Sequence, residues 1–301
     1  MKSSRTVFAV VLSVPSLLLA AELPSFHPEE KKAWDAIVER FTSEPVVKAE
    51  TSKTLEVAVS GLKKDPKKGE NGTASVTLDK ATGRVTTVTS NGAAFTDEEL
   101  GGFAAFRSLR AVTLWHNSGE GFTGSGLAKL TSLDNLQSVT LAGGSFADAG
   151  MIEAAKLPKL KEVRAWHSKF SDDGVAAFRN HPTLESITVG PSWEKLLTDK
   201  TLETLSTCPK LKKFGIAETW LTWEGGLSHL AKLKGQLVEV DFGNCIIEPA
   251  DVEKLRAEMP GTKIEWKGFS SGKDELKKSW IRPRAEKWIP KELLERVMAG
   301  E

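Results

Sequence analysis

Residues 160–183 read LKEVRAWHSKFSDDGVAAFRNHPT, and this stretch decides the fold. Leu160, Val163 and Ala165 stand at its first, fourth and sixth places and Phe170 at the eleventh; a short helical pattern then runs to a proline turn at Pro182. The same layout recurs along the chain. Aligning first positions at Val85, Leu109, Leu136, Leu160, Leu184, Leu211 and Leu237 gives spacings of 24, 27, 24, 24, 27 and 26 residues. A period in this range predicts a solenoid.

Each unit has two halves. LRAVTL, LQSVTL, LESITV and LVEVDF alternate apolar and polar residues, the period of a strand with one buried face. An apolar anchor follows (Phe95, Phe122, Phe146, Phe170, Leu197, Leu221, Ile247), and the apolar spacing then changes to three or four, as in a helix. Thr96, Ser171 and Thr198 occupy N-cap positions, each followed by an aspartate that suits a helix N-terminus. Pro158, Pro182, Pro209 and Pro260 close the helical halves. One unit alone cannot bury its apolar edge, so the units must stack.

With these residues in view, LxxVxLxxx followed by F(T/S)D, a GLxxL-like helix and L-P-x-L resembles the leucine-rich repeat. The resemblance is to secreted bacterial-type members, in the longer helix-containing subclass of ribonuclease-inhibitor-like or cysteine-containing-like type. It covers about Val85 to Trp266. It implies an α/β solenoid: a curved parallel sheet with helices on the convex side, closed by N- and C-terminal caps. One departure stands out. The ninth position, where the family places Asn or Cys, holds Ala93, Asn117, Gly144, Ser168, Ser192, Thr219 and Cys245, so no continuous Asn or Cys ladder is expected.

Residues 1–21 read as a signal peptide, because Lys2 and Arg5 precede an apolar run from Val7 to Ala20 that is too short to span a bilayer comfortably. This predicts a secreted, periplasmic or envelope protein with no membrane span after cleavage. Residues 22–84 read as an N-terminal cap. Trp34, Ile37, Val38 and Phe41 stand at helical spacing within 28–41; Leu55, Val57 and Val59, then Val76 and Leu78, form a hairpin around the Lys-rich loop 62–73. The repeats span 85–268. Residues 269–301 form a helical cap or tail with Trp280, Ile281, Trp288, Ile289, Leu293, Leu294 and Val297 as its apolar residues.

The formal charge of +1 falls to about −1 without Lys2 and Arg5, so no global field attracts nucleic acid. Cys208 and Cys245 fall at opposite ends of neighbouring strands, on the order of 20 Å apart, where a disulfide needs about 6 Å. Both read as buried fillers.

Binding residues are sought on the helix-free face, where the third, fifth, seventh and eighth residues of each strand form columns. Trp115-His116 and Trp166-His167 share one register, with Ala142-Gly143 between them. With strands about 4.8 Å apart, the two indoles are expected about 9.6 Å apart as a one-ring slot over a floor of small residues. Glu162, Arg164, His116 and His167 form its hydrogen-bonding rim, and Trp193, Trp220 and Trp223 extend an aromatic edge beyond it. The opposing reading is that the indoles lie flat and cover the strand ends. Glu162 and Arg164 read as a surface ion pair.

No HExxH, paired CxxC, GxSxG or Walker motif occurs, and no cofactor or metal is expected. The sequence therefore predicts a non-catalytic exported protein that binds a protein or peptide along its concave face. The alternatives are a structural or envelope-associated assembly protein and a glycan-binding module using the tryptophan slot. Oligomeric state is left open.

Overall fold

The computed structural model describes residues 25–63, 72–190, 197–268, 287 and 289–299. The expected signal peptide, residues 64–71 of the Lys-rich loop and the residues Trp193, Trp280, Ile281 and Trp288 lie outside them.

Among the described residues, eleven strands form one sheet whose order follows the chain: β1 (Val46–Glu50), β2 (Thr54–Ser60), β3 (Thr73–Asp79), β4 (Val85–Asn91), β5 (Ala111–Trp115), β6 (Ser138–Ala142), β7 (Glu162–Ala165), β8 (Ser186–Val189), β9 (Lys213–Ala217), β10 (Glu239–Gly243) and β11 (Lys263–Trp266). The first four pair antiparallel and β4 to β11 pair parallel. Parallel neighbours need a crossover. That connection is the second half of each repeat, which carries α2 (Asp97–Gly102), α3 (Asp148–Ala154), α4 (Asp172–Val175), α5 (Asp199–Leu205), α6 (Ser228–Ala231) and α7 (Pro249–Glu258), with 3-10 or π turns beside several of them; between β5 and β6 the 3-10 helix Ser125–Leu130 stands alone. This is a leucine-rich-repeat solenoid. Its convex segments are short, 4 residues in α4 and 10 in α7.

Repeat geometry forces the core into columns. Leu109, Leu136, Leu160, Leu184, Leu211 and Leu237 are all buried in one continuous cluster, and so are the anchors Phe95, Phe122, Phe146, Phe170, Leu197, Leu221 and Ile247. Thr96 caps α2 through a capping box with Glu99, and Ser171 and Thr198 accept from backbone N–H groups at the starts of α4 and α5.

The repeats are also joined by polar ladders. Asn117 bonds both the N–H and the C=O of Phe95, at 2.7 and 2.8 Å. Ser168, Thr219 and Cys245 each donate to a carbonyl of an earlier repeat, so the mixed ninth column performs the backbone-satisfying task with whatever short polar group it holds. A second ladder is made of aspartates. Asp97 accepts from the Thr123, Gly124 and Gly126 N–H groups and from the Thr123 and Ser125 hydroxyls of the following repeat. Asp148 holds Ser171 and Gly174, Asp172 holds Thr198 and Thr201, and Asp199 holds Thr222 in the same way. Each carboxylate thus satisfies orphan donors at the start of the next convex segment. Close approach requires glycine there: a methyl group at Gly126 would lie 2.1 Å from the Asp97 carbonyl oxygen, and one at Gly174 2.7 Å from Asp148 Oδ1.

At the N-terminal end α1 (Pro28–Val38) buries Trp34 and Ile37 and begins with proline at a position where its missing N–H costs nothing. Glu30, fully buried, accepts from the Val85 and Arg107 N–H groups and pairs with Arg84 at 3.0 Å, which ties this helix to β4 and to the turn before β5. Strand β1, an exposed edge with a bulge, is not predicted by the sequence pattern, because VVKAE carries no clean alternation. At the other end α8 (Lys291–Ala299) buries Leu293 and Val297 against Ile246 in a small second cluster that also includes Trp220 and Trp266. Cys208 and Cys245 are free and buried; each donates to a backbone carbonyl, and burial pushes their thiols up to about 11 and about 12.

Candidate functional site: the helix-free face

Strand register places the columns in rows. Thr89, Thr113, Thr140, Arg164, Thr188, Gly215 and Asp241 are successive partners across β4 to β10. So are Thr87, Ala111, Ser138, Glu162, Ser186, Lys213, Glu239 and, on β11, Lys263. Among these, the β4–β6 residues are uncharged; from β7 onward charged side chains enter. Those in the second row are paired: Arg164 holds Glu162 at 2.9 Å, and Lys213 and Lys263 share Glu239 at 3.2 Å each. Glu162 and Arg164 are therefore the expected surface ion pair, 36% and 53% exposed, in a setting where such pairs contribute little stability.

The tryptophan slot is closed. Trp115 and Trp166, each half-buried, meet edge to face with centroids 5.3 Å apart and planes at 66°, in place of the expected 9.6 Å opening. The reason lies in what separates them: Ala142 contributes one methyl group and Gly143 none, so nothing holds the rings apart. A T-shaped aromatic contact then adds about 0.5–1.5 kcal/mol. A flat sugar ring has no gap to enter, and the slot-based glycan reading falls with it. The result is a single aromatic knob spanning β5 to β7.

The eighth column turns the chain at the strand ends. Gly92, His116, Gly143, His167, Glu218 and Asn244 all adopt positive φ, between 50° and 70°. Glycine adopts this backbone freely and asparagine and histidine tolerate it, whereas glutamate adopts it at greater cost. The two histidines diverge. His116 Nδ1 lies 2.9 Å from Asn91 Oδ1, and a methyl group at Gly143 would lie 2.6 Å from its ring. His167 Nε2 lies 3.1 Å from Glu218 Oε1 on β9, two strands away. They do not form a shared ligand set, and among the described residues no group of three metal-binding side chains occurs.

The aromatic edge does not continue as expected. Trp220 packs into the small cluster under α8, and Trp223 packs on the main core with the Lys254 ammonium 3.9 Å above its ring. Both are occupied by the protein's own side chains. No sequence pattern singles out Glu218, because its contact with His167 spans two strands.

No protein-family model matches the chain, and no curated protein sequence does. Among solved structures it is similar to an internalin C2 of Listeria monocytogenes (17% identity over 60% of this chain and 70% of that one, TM-score 0.41). It is also similar to an internalin inlF of the same organism (14% identity, 55% and 49%, TM-score 0.39) and to a leucine-rich-repeat protein of Leptospira interrogans (16%, 55% and 51%, TM-score 0.34). The chain spans about half the length of the last two. Among the described residues no helix is long and apolar enough to cross a membrane.

Proposed function

We propose that this protein is a non-catalytic, exported binding protein that recognises a protein or peptide along the concave, helix-free face of its solenoid. The observation that carries the reading is the Trp115–Trp166 knob. Two indoles packed on each other and partly exposed at the middle of an otherwise polar face bury their remaining apolar surface only when something covers them, and aromatic anchors of this kind dominate binding energy where a partner docks. Asn91, His116, Glu162, Arg164 and His167 supply the polar surround.

Export rests on Lys2, Arg5 and the apolar run 7–20. Residues 22–84 and 269–301 act as caps in this reading, because an open-ended stack would expose core; the buried Glu30 anchor and the Leu293–Val297 contact support it.

The test is capture of a partner from the extracellular or periplasmic fraction on immobilised protein lacking residues 1–21. Wild-type protein retains a specific partner, and the double variant Trp115→Ala/Trp166→Ala, folded by circular dichroism, loses at least about 90% of it, as expected for truncation of central anchors. Equal retention by the folded double variant would contradict the reading.

A further inference from the structure

The near-zero net charge conceals a separation across the solenoid. Seven connections join the parallel strands β4 to β11, so all of them leave from one edge of the sheet and return at the other. Where they return, the segments 107–110, 131–137, 156–161, 179–185, 207–213, 232–238 and 258–263 hold twelve Lys and Arg residues against three carboxylates, Asp134, Glu185 and Glu258. Where they leave, the described segments 91–99, 116–125, 143–148, 167–173, 197–199, 218–224 and 244–251 hold twelve carboxylates and one cation, Lys169. One edge is therefore basic and the other acidic.

The basic edge is straight and partly unneutralised. Arg110, Gln137, Lys161, Glu185, Lys212 and Val238 form one row, in which each N–H donates to the carbonyl of the residue before it at 2.8–2.9 Å. At about 4.8 Å per strand the row is roughly 24 Å long. Lys212 and Lys161 share Glu185 at 3.1 and 3.4 Å and hold its carboxyl below the usual range. Arg107, Arg110, Lys159, Lys210 and Lys234 are exposed, and among the described residues their side chains make no ion pair or hydrogen bond. Val238 closes the row with 53% of its surface exposed, an apolar side chain among cations.

We propose that this edge is a membrane-docking surface, on which the solenoid stands against a bilayer of anionic phospholipid with Val238 in the headgroup interface. Each Lys or Arg near such a surface strengthens binding about fivefold, so five unpartnered cations on one edge are enough to hold the protein there. The acidic edge then faces away from the lipid, the charge separation itself sets the orientation, and the helix-free face stays open beside the membrane. A second copy is a poorer occupant, because Asp97, Asp148, Asp172 and Asp199 of the acidic edge are already engaged by the following repeat. A soluble polyanion would give Val238 no apolar cover.

The test is co-sedimentation of the chain from residue 22, which keeps every described residue, with vesicles of phosphatidylcholine alone or with about one-third phosphatidylglycerol. At about 50 mM salt the anionic vesicles should bind at least about tenfold tighter, and most of that gain should vanish by about 500 mM. Lys159→Glu/Lys210→Glu, folded by circular dichroism, should weaken binding at least about twentyfold. Lys63→Glu/Lys200→Glu makes the same change in net charge at exposed positions off this edge and should stay within about threefold of wild type. Equal binding to the two vesicle types, no binding to either, or equal loss in the two double variants overturns the inference. Dextran sulfate that binds as tightly as the vesicles at matched anionic charge overturns it in favour of a soluble polyanion. Salt-sensitive oligomers in light scattering without lipid, abolished by Lys159→Glu/Lys210→Glu, would put a second copy on the edge and overturn it as well.

Discussion

Asp97 shows how one residue per repeat holds this stack together. Burial alone would raise its carboxyl, but the Gly126 N–H, the Thr123 hydroxyl and N–H and the Ser125 hydroxyl together outweigh that and leave it lowered. Asp199, three positions further along the ladder, is raised, first by burial and then by the like charge of Asp172, against only Thr222 as donor. The two therefore respond oppositely to pH. A carboxylate lowered on folding stabilises above its unfolded value of about 3.9, and that contribution is lost as pH falls through the lower folded value. A raised one opposes folding at neutral pH and is relieved as pH falls. In urea melts at pH 7, Asp97→Asn should cost about 1–3 kcal/mol and Asp199→Asn less, with the gap narrowing toward pH 4. Equal losses at both pH values would remove the aspartate ladder as a source of stability.

At the scale of elements, α8 is a separate attachment. Its contact is the small cluster of Ile246, Leu293 and Val297 with Trp220 and Trp266 beside it, plus the Arg296–Glu248 pair at 2.8 Å. Burying two aliphatic side chains contributes about 1.5–3 kcal/mol each, less than the roughly 1–2 kcal/mol per residue that ordering this 9-residue helix costs, so the attachment is weak. Leu293→Asp with Val297→Asp should release it, seen as fast amide exchange across 291–299 and a red shift of tryptophan emission, while exchange in β5–β9 stays unchanged. Loss of protection throughout the sheet would instead make α8 integral to the core. This element also marks where sequence reading stops. The strands were legible because Leu160, Val163 and Ala165 repeat with period two at a fixed spacing, and that fixes register as well as existence. Where side chains lean was not legible. The indoles closed on each other because Ala142 and Gly143 could not hold them apart, Trp220 was claimed by a helix some 70 residues later in the chain, and Glu218 crossed two strands to reach His167. The aspartates after Thr96, Ser171 and Thr198 were read as partners of their own helix dipoles, while their hydrogen bonds go to the following repeat.

Across the whole molecule, every functional statement depends on equivalent residues of successive repeats standing in straight rows, one strand apart. The rows put Trp115 beside Trp166 and bring Asp241 opposite Gly215. Pulsed electron paramagnetic resonance between spin labels in the row Thr87 to Lys263 measures this directly, since Cys208 and Cys245 are buried and stay unlabelled. With about 4.8 Å per strand, labels at Thr87→Cys and Lys213→Cys should stand roughly 24 Å apart and labels at Thr87→Cys and Lys263→Cys roughly 34 Å, a difference of about 10 Å for two added strands. Two narrow distributions separated by that amount are the expected result; overlapping distributions, or a shorter distance to residue 263 than to 213, would contradict the stacked register and everything built on it.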